Sequence, residues 1–110
     1  MTGVLVGHGT VYPLLSSVIA TGAGSSVKPV GSNRTFQAHG TTSAGAGAAT
    51  IVVQVSNNDS DWITLGTISL TLSTTSSSDG FASDAPWKYV RGNVTAISGT
   101  DATVSLILGM

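Results

Sequence analysis

Two histidines, His8 and His39, are the residues of this sequence best suited to acid–base or nucleophilic catalysis. Serine and aspartate are plentiful enough to complete a Ser-His-Asp triad on paper, but no Gly-x-Ser-x-Gly turn presents a serine as a nucleophile. The five carboxylates are all aspartates and fall mostly in predicted turns, whereas glycoside hydrolysis needs two carboxylates that face each other. We therefore predict that the protein is not an enzyme and uses no cofactor.

A calcium loop is the second chemistry that the spacing suggests, because Asn57, Asp59 and Asp61 occupy its first, third and fifth positions. The match then fails, since Trp62 stands where the loop needs glycine and Ile68 where it needs a bidentate glutamate. Segment 57–61 is better interpreted as a polar turn stabilised by its own short side chains. The chain also has no cysteine, which excludes disulfides and thiolate zinc sites. No metal site is predicted.

Three aromatic residues, Trp62, Trp87 and Tyr89, could form a surface for carbohydrate. Trp87 and Tyr89 are two residues apart, so they lie on the same side of a strand. Arg91 follows two residues later, where its guanidinium can stack on an aromatic face. Such residues also brace sheet edges or fill the core of β-sandwiches, and both interpretations stay open.

The charge content is low, since charged residues make up 8% of the chain against roughly 25% in an ordinary soluble domain. The net charge is −1, and the basic residues Lys28, Arg34, Lys88 and Arg91 are scattered along the sequence. Nucleic acids are bound by clustered basic residues, so we predict no nucleic-acid partner. A monomer with so little charge would be poorly soluble. We therefore expect neighbouring subunits or other partners to cover much of its surface.

The elements that position these residues are predicted to be strands. Apolar residues alternate with polar ones, β-branched types dominate, and turn residues separate the segments. A flexible turn is expected at 43–47, a polar loop at Ser73–Gly80, and a hairpin between the last two strands. The pattern predicts an all-β protein with a β-sandwich or jelly-roll fold. The predicted strands are Arg34–Thr41, Thr50–Val55, Trp62–Leu65, Ile68–Leu72, Trp87–Ala96 and Ala102–Leu108.

The first zone of the chain is apolar, rich in glycine and without sustained periodicity. We predict that residues 1–31 form an extended N-terminal arm and residues 32–110 the sandwich, although the arm could equally be a strand of the domain's own core. No apolar run reaches the 18–20 residues of a membrane span, and no basic residue precedes the apolar run 14–20, as a signal peptide requires. The arm residues expected to dock on a partner are Val4, Leu5, Val6, Tyr12, Leu14, Leu15, Val18 and Ile19.

Segments 60–68 and 85–95, which carry the Asp-Trp-Ile and Pro-Trp-Lys-Tyr motifs, resemble small structural proteins of tailed bacteriophages. With its Gly/Ala/Thr-rich arm, the chain resembles the capsid decoration (cement or staple) proteins of short-tailed phages over Arg34–Leu108. The resemblance implies a jelly roll and a homodimer or higher oligomer. It also implies binding to the major capsid protein on the exterior of the virion, after assembly in the host cytoplasm. No active-site residues transfer from it.

Two functions follow from these observations. The first is a structural virion protein that binds the outside of the capsid shell and stabilises it, with no membrane partner. The alternative is a carbohydrate-binding or host-adhesion module, part of a tail or receptor-binding component, that uses Trp62, Trp87 and Tyr89.

Overall fold

The computed structural model describes residues 4–6 and 11–110, and every regular element within these ranges is a β-strand. The all-β prediction is therefore confirmed. No helix long and apolar enough to cross a membrane occurs in these ranges. The strands are β1 (Val4–Val6), β2 (Val11–Val18), β3 (Gly22–Ala23), β4 (Val27–Pro29), β5 (Arg34–Thr41), β6 (Ala44–Ser56), β7 (Ile63–Leu72), β8 (Ser77–Ser83), β9 (Tyr89–Thr100) and β10 (Thr103–Gly109).

The strands form two sheets that pack face to face. The first sheet has the order β1-β4-β9-β6-β7, with β3 also paired to β9, and the second has the order β2-β10-β5-β8. All pairs are antiparallel except β1 with β4. This arrangement confirms the β-sandwich, while its jelly-roll form stays a prediction.

Alternating side chains from both sheets build the core, as the period of two along each strand predicts. Fully buried side chains come from β5, β6, β7, β9 and β10, and the intervening residues face outwards. The largest of these buried side chains are Phe36, Ile51, Leu72, Leu106 and Leu108.

The predicted hairpin between the last two strands is wrong. β9 belongs to the first sheet and β10 to the second, and the chain crosses between the sheets at Asp101 and the buried Ala102. Alternation along two consecutive strands predicts which residues face the core, but it does not say whether those strands pair with each other. A short turn between them can join two sheets as well as two neighbours in one sheet.

The boundary between an arm (1–31) and a sandwich (32–110) also needs correction within the described residues. β2 is an edge strand of the second sheet, paired with β10, and β4 pairs with β9 in the first sheet. Leu14 and Leu15 are 5% and 4% exposed, so they belong to the core of the sandwich itself. A bulge where Leu106 pairs with Leu15 but Ile107 with Pro13 explains how two consecutive leucines both point inwards.

Three smaller differences concern element boundaries. Part of the predicted Ser73–Gly80 loop belongs to β8, the edge strand of the second sheet. The predicted turn at 43–47 lies mostly within β6, which begins at Ala44. Alternation along the predicted strand Trp87–Ala96 puts Ala96 on the same face as Val90 and Val94, but Ala96 is exposed, because a register shift between Thr50 and Ile51 of β6 changes the alternation along β9.

Candidate functional site

Three of the four basic residues of the chain converge on one groove. Lys28, Arg34 and Lys88 line a cavity of about 700 Å³ together with Trp87 and Asn57. The cavity lining contains no aspartate. The groove is thus positively charged, although the protein as a whole carries a net charge of −1.

The pairing of β4 with β9 brings two of these cations together. Val27 pairs with Val90, so Lys28 and Tyr89 are next to each other on the outer side of the sheet. The Lys28 Nζ lies 5.3 Å from the centroid of the Tyr89 ring, within the range of a cation–π contact. Lys88 comes immediately before β9, and its backbone N–H donates to Asn57 Oδ1 (3.3 Å).

Arg34 lines the same groove as the two lysines and is only 3% exposed. Its Nε and Nη2 both donate to the Gly31 carbonyl (3.0 and 2.7 Å), and its Nη1 donates to the Trp87 carbonyl (2.7 Å). Burial lowers the pKa of the Arg34 guanidinium from its ordinary value, because removal from water disfavours the charged form. Within the described residues, these hydrogen bonds go to backbone carbonyls and none to a carboxylate.

A second cavity, of about 660 Å³, lies on the other side of Arg34. It is lined by Asn33, Asp84 and Met110 among others, and it contains no lysine. Arg34 lines both cavities, but the second has a carboxylate, Asp84, where the groove has two lysines.

The predicted turn at 57–61 is confirmed and is held together by Asn58. The Asn58 Oδ1 accepts from the Ser56 hydroxyl (2.8 Å) and from the backbone N–H groups of Ser60 (3.0 Å) and Asp61 (2.9 Å). The Asn58 amide group donates to Asp61 Oδ2 (2.8 Å). The turn is thus satisfied by its own side chains, and Asn57 is left to hold the backbone of Lys88.

Trp62, Trp87 and Tyr89 are all half-buried, and the two tryptophans line different cavities. The Arg91 guanidinium stacks on Trp62, with 4.3 Å between its Cζ and the ring centroid, and donates to Gln54 Oε1 (2.8 Å). The predicted stacking of Arg91 is confirmed, and its partner is Trp62. Trp87 precedes β9 and packs against the core.

Trp62 and Arg91 also line a smaller cavity of about 320 Å³. Its other walls are polar and include Asp59, Ser25 and Ser26. An aromatic ring beside several hydrogen-bonding groups is a feature of small-ligand sites.

The edge of the first sheet at β7 is uncharged, in contrast to the positive groove. This ten-residue strand pairs only with β6 among the described strands and contains no charged residue. The Thr71 carbonyl accepts from the Ser77 hydroxyl (2.7 Å), which ties one end of β7 to the start of β8. Edge strands of this length commonly carry charges or prolines that prevent pairing with other chains, and β7 carries neither.

The arm residues that we expected to dock on a partner differ in how far they are buried. Tyr12 and Val18 are half-buried and pack against the core that contains Leu14 and Leu15. Ile19 is 72% exposed, so it is the one member of the predicted set in 11–31 that is open to a partner. Val4, Leu5 and Val6 form β1, which pairs in parallel with β4.

The histidines give no catalytic arrangement within the described residues. His39 is half-buried on β5, with Ser78 and Ser105 as its neighbours on the adjacent strands. No hydrogen bond joins its imidazole to any residue in 4–6 or 11–110, and no group of three or more His, Cys, Asp or Glu side chains lies together in those ranges. His8 lies outside the described residues.

Sequence reasoning missed the positive groove. Lys88 is far from Lys28 and Arg34 in the chain, and the pairing of β4 with β9 and the bond from Arg34 to the Trp87 carbonyl bring the three together. The sequence contained one usable signal: Lys28 lies within β4 and Lys88 directly before β9, and these two strands are neighbours in the sheet.

Comparison with known proteins gives a fold relationship. No protein-family model matches the chain, and no curated protein sequence matches it. The structure is similar to that of the PBSX exported protein XepA, with a TM-score of 0.58 and 11% sequence identity over 91% of this chain. The chain spans about a third of that protein, 36% of its length. At this identity the similarity shows a shared β-sandwich fold.

Proposed function

We propose that the protein is a non-enzymatic structural component of a phage particle, a capsid decoration protein that binds the major capsid protein from outside and associates with its own copies. The observation that carries this proposal is β7, a ten-residue edge strand without charge. Such an edge offers unpaired backbone groups to another chain. Edge strands are commonly protected from such pairing by charges, prolines or bulges, and within β7 the one such feature is the register shift against Val53 and Gln54 of β6.

Self-association through β7 suits a second copy of the chain. An antiparallel pair of two β7 strands around a twofold axis presents the same surface twice. A charged residue on the strand would lie near its own copy across such an axis, and the two like charges would repel each other. A strand of Ile, Leu, Thr, Ser and Gly avoids that repulsion.

Binding to the shell is supported by the composition and by the fold. Charged residues make up only 8% of the chain, which suits a surface covered by neighbours. The fold is shared with XepA, a PBSX exported protein, in keeping with a phage-related role. A decoration protein needs only modest contacts per copy, because a repeating lattice engages many copies together. A net charge of −1 favours a location away from packaged DNA.

The first experiment tests self-association at β7 by placing a lysine on the edge. Ser69→Lys should shift the oligomer towards monomer, because the lysine must lose hydration when another strand pairs there. Native mass spectrometry and sedimentation equilibrium measure the change, which we expect to be about tenfold in the dissociation constant. Gln37→Lys adds the same charge to an exposed position of β5, a strand paired on both sides, and should leave the oligomer intact.

The second experiment tests shell binding. The purified chain is mixed with expanded capsids assembled from the major capsid protein of the same phage, and co-sedimentation is measured. Saturable binding at a fixed number of copies per capsid supports the proposal. A chain that stays monomeric at high concentration and does not sediment with capsids would overturn it.

A carbohydrate-binding function is the second candidate, and the small polar cavity beside Trp62 favours it. In that case the glycan would contact Trp62, Arg91 and Asp59, while the Tyr89 ring stays engaged with Lys28. Glycan-array binding that is lost in Trp62→Ala and kept in Trp87→Ala, with both variants folded by circular dichroism, would support it.

A further inference from the structure

The groove of Lys28, Arg34 and Lys88 has a charge that nothing in its own lining neutralises. Two prolines, Pro29 and Pro86, and the indole of Trp87 form apolar walls between the cations. The groove therefore combines positive charge with apolar surface. Its volume of about 700 Å³ is within the usual range for ligand sites.

The buried guanidinium of Arg34 makes this charge costly for the protein alone. Its hydrogen bonds are made to the Gly31 and Trp87 carbonyls, which satisfy the nitrogens but do not cancel the charge. A buried charge without an opposite charge is unfavourable, and an anion bound nearby reduces that cost. The two lysines add to the same potential at the mouth of the groove.

We propose that this groove binds an acidic peptide segment of a protein partner, whose carboxylates pair with Lys28 and Lys88 while an apolar side chain packs against Trp87 and Pro86. This inference goes beyond the proposed function and is independent of it, because β6 separates β9 and β4 from the β7 edge of the first sheet. It assigns a chemistry to a surface that self-association does not use.

The observations favour a peptide over a nucleic acid. A nucleic-acid site of useful affinity neutralises many phosphates, whereas this groove has three cations on a protein of net charge −1. Three cations match two or three carboxylates. The proline and indole walls match aliphatic side chains, which a peptide has and a phosphate backbone lacks.

The test is a titration of the whole isotope-labelled chain, followed by backbone amide NMR shifts. The probe is the acetylated and amidated peptide Glu-Leu-Glu-Leu-Glu, and the matched probe is Gln-Leu-Gln-Leu-Gln. We expect the acidic peptide to shift the amides of Ser32, Asn57 and Lys88, and the neutral peptide to shift them much less. Raising the salt concentration from about 0.05 to about 0.5 M should weaken the acidic peptide's binding, because the ion pairs are screened.

Two variants separate the groove from general charge effects. Lys88→Gln should weaken binding about fivefold, as expected for loss of one solvent-accessible ion pair. Arg91→Gln removes the same charge outside the groove lining and should change the affinity less than twofold. Both side chains are on the outer surface, and circular dichroism checks that each variant is folded.

Three outcomes would overturn the proposal. The first is absence of shifts at the groove with the acidic peptide. The second is equal weakening by Lys88→Gln and Arg91→Gln, which would indicate a diffuse charge effect. The third is groove binding of a single-stranded oligonucleotide or a sulfated glycan that exceeds binding of the peptide, which would assign the groove to another class of ligand. None of these outcomes depends on capsid binding or on the β7 edge.

Discussion

Gly92 leaves a space in β9 that two leucines fill. A methyl group at this position would lie 2.7 Å from Leu106 Cδ2 and 2.9 Å from Leu15 Cγ, closer than carbon atoms pack. A glycine inside a strand marks a bulge or a close contact with a neighbour, and at Gly92 the structure shows the close contact. One residue without a side chain thus fixes how near the two sheets approach at β2 and β10.

Gly92→Ala should therefore destabilise the protein by about 1–3 kcal/mol, the usual cost of overpacking a core. Urea unfolding followed by circular dichroism measures the change. In a Leu15→Ala background the same substitution should cost less, because two of the three nearest atoms belong to Leu15 and only the contact with Leu106 remains. An equal cost in both backgrounds would contradict the proposed contact.

Arg34 holds two loops together through its hydrogen bonds to the Gly31 and Trp87 carbonyls. Arg34→Met removes an unneutralised buried charge, which is favourable, but it leaves both carbonyls without their donors, which is unfavourable. Hydrogen bonds from a charged donor contribute about 1.5–3 kcal/mol each, so we expect a net loss of about 2 kcal/mol.

The free energy of unfolding in urea tests this balance. Lys88→Gln serves as the control, because a change at an exposed side chain should stay within about 0.5 kcal/mol. Unchanged or increased stability of Arg34→Met would show that the charge costs more than the bonds contribute.

At the scale of elements, β2 is the strand for which the sequence left two interpretations open, an extended arm or a strand of the domain's own core, and the structure shows the second. Consecutive buried leucines break the period of two, and only the bulge against β10 reconciles them with a strand. The edge position also exposes neighbouring apolar residues, with Val11 70% and Ile19 72% exposed. The local pattern thus looks irregular, although the strand is part of the core.

Leu15→Ala should cost about 2–5 kcal/mol, as for other large-to-small changes in a core. Ile19→Ala, four residues away and exposed, should change stability by less than about 0.5 kcal/mol. Thermal and urea unfolding of the two variants give the comparison. Similar small effects would indicate that β2 is peripheral to the sandwich.

The sequence predicts individual strands better than their partners. The predicted strand Arg34–Thr41 has the same bounds as β5, and alternation predicts which residues of β6 and β10 face the core. Pairing depends on residues far apart in the chain, which is why β9 and β10 were expected to form a hairpin. The positive groove depends on such pairing too, so its three cations looked scattered in the sequence.

At the scale of the whole molecule, the low charge favours self-association, and self-association makes the stability of the fold depend on protein concentration. Partners that bind only the folded state stabilise it by mass action, so an oligomer melts at a temperature that rises with protein concentration. We expect the Tm of the wild-type chain to rise by a few degrees between about 5 and 500 µM, because a hundredfold change adds about 2.7 kcal/mol of mass-action stabilisation.

Differential scanning calorimetry at the two concentrations measures this shift. Ser69→Lys, designed to block pairing at β7, should show a smaller concentration dependence than Gln37→Lys. A wild-type Tm that does not change with concentration would argue against self-association at any surface.

The position of β10 has a consequence for the timing of folding. It lies between β2 and β5, so the second sheet lacks an inner strand until 103–109 have been made. During synthesis, the leucines of β2 are made early, whereas β10, the strand that pairs with β2, is made only after most of the chain. A ribosome-bound chain that stops before β10 should remain open to proteases, and the complete fold should then form in one late step.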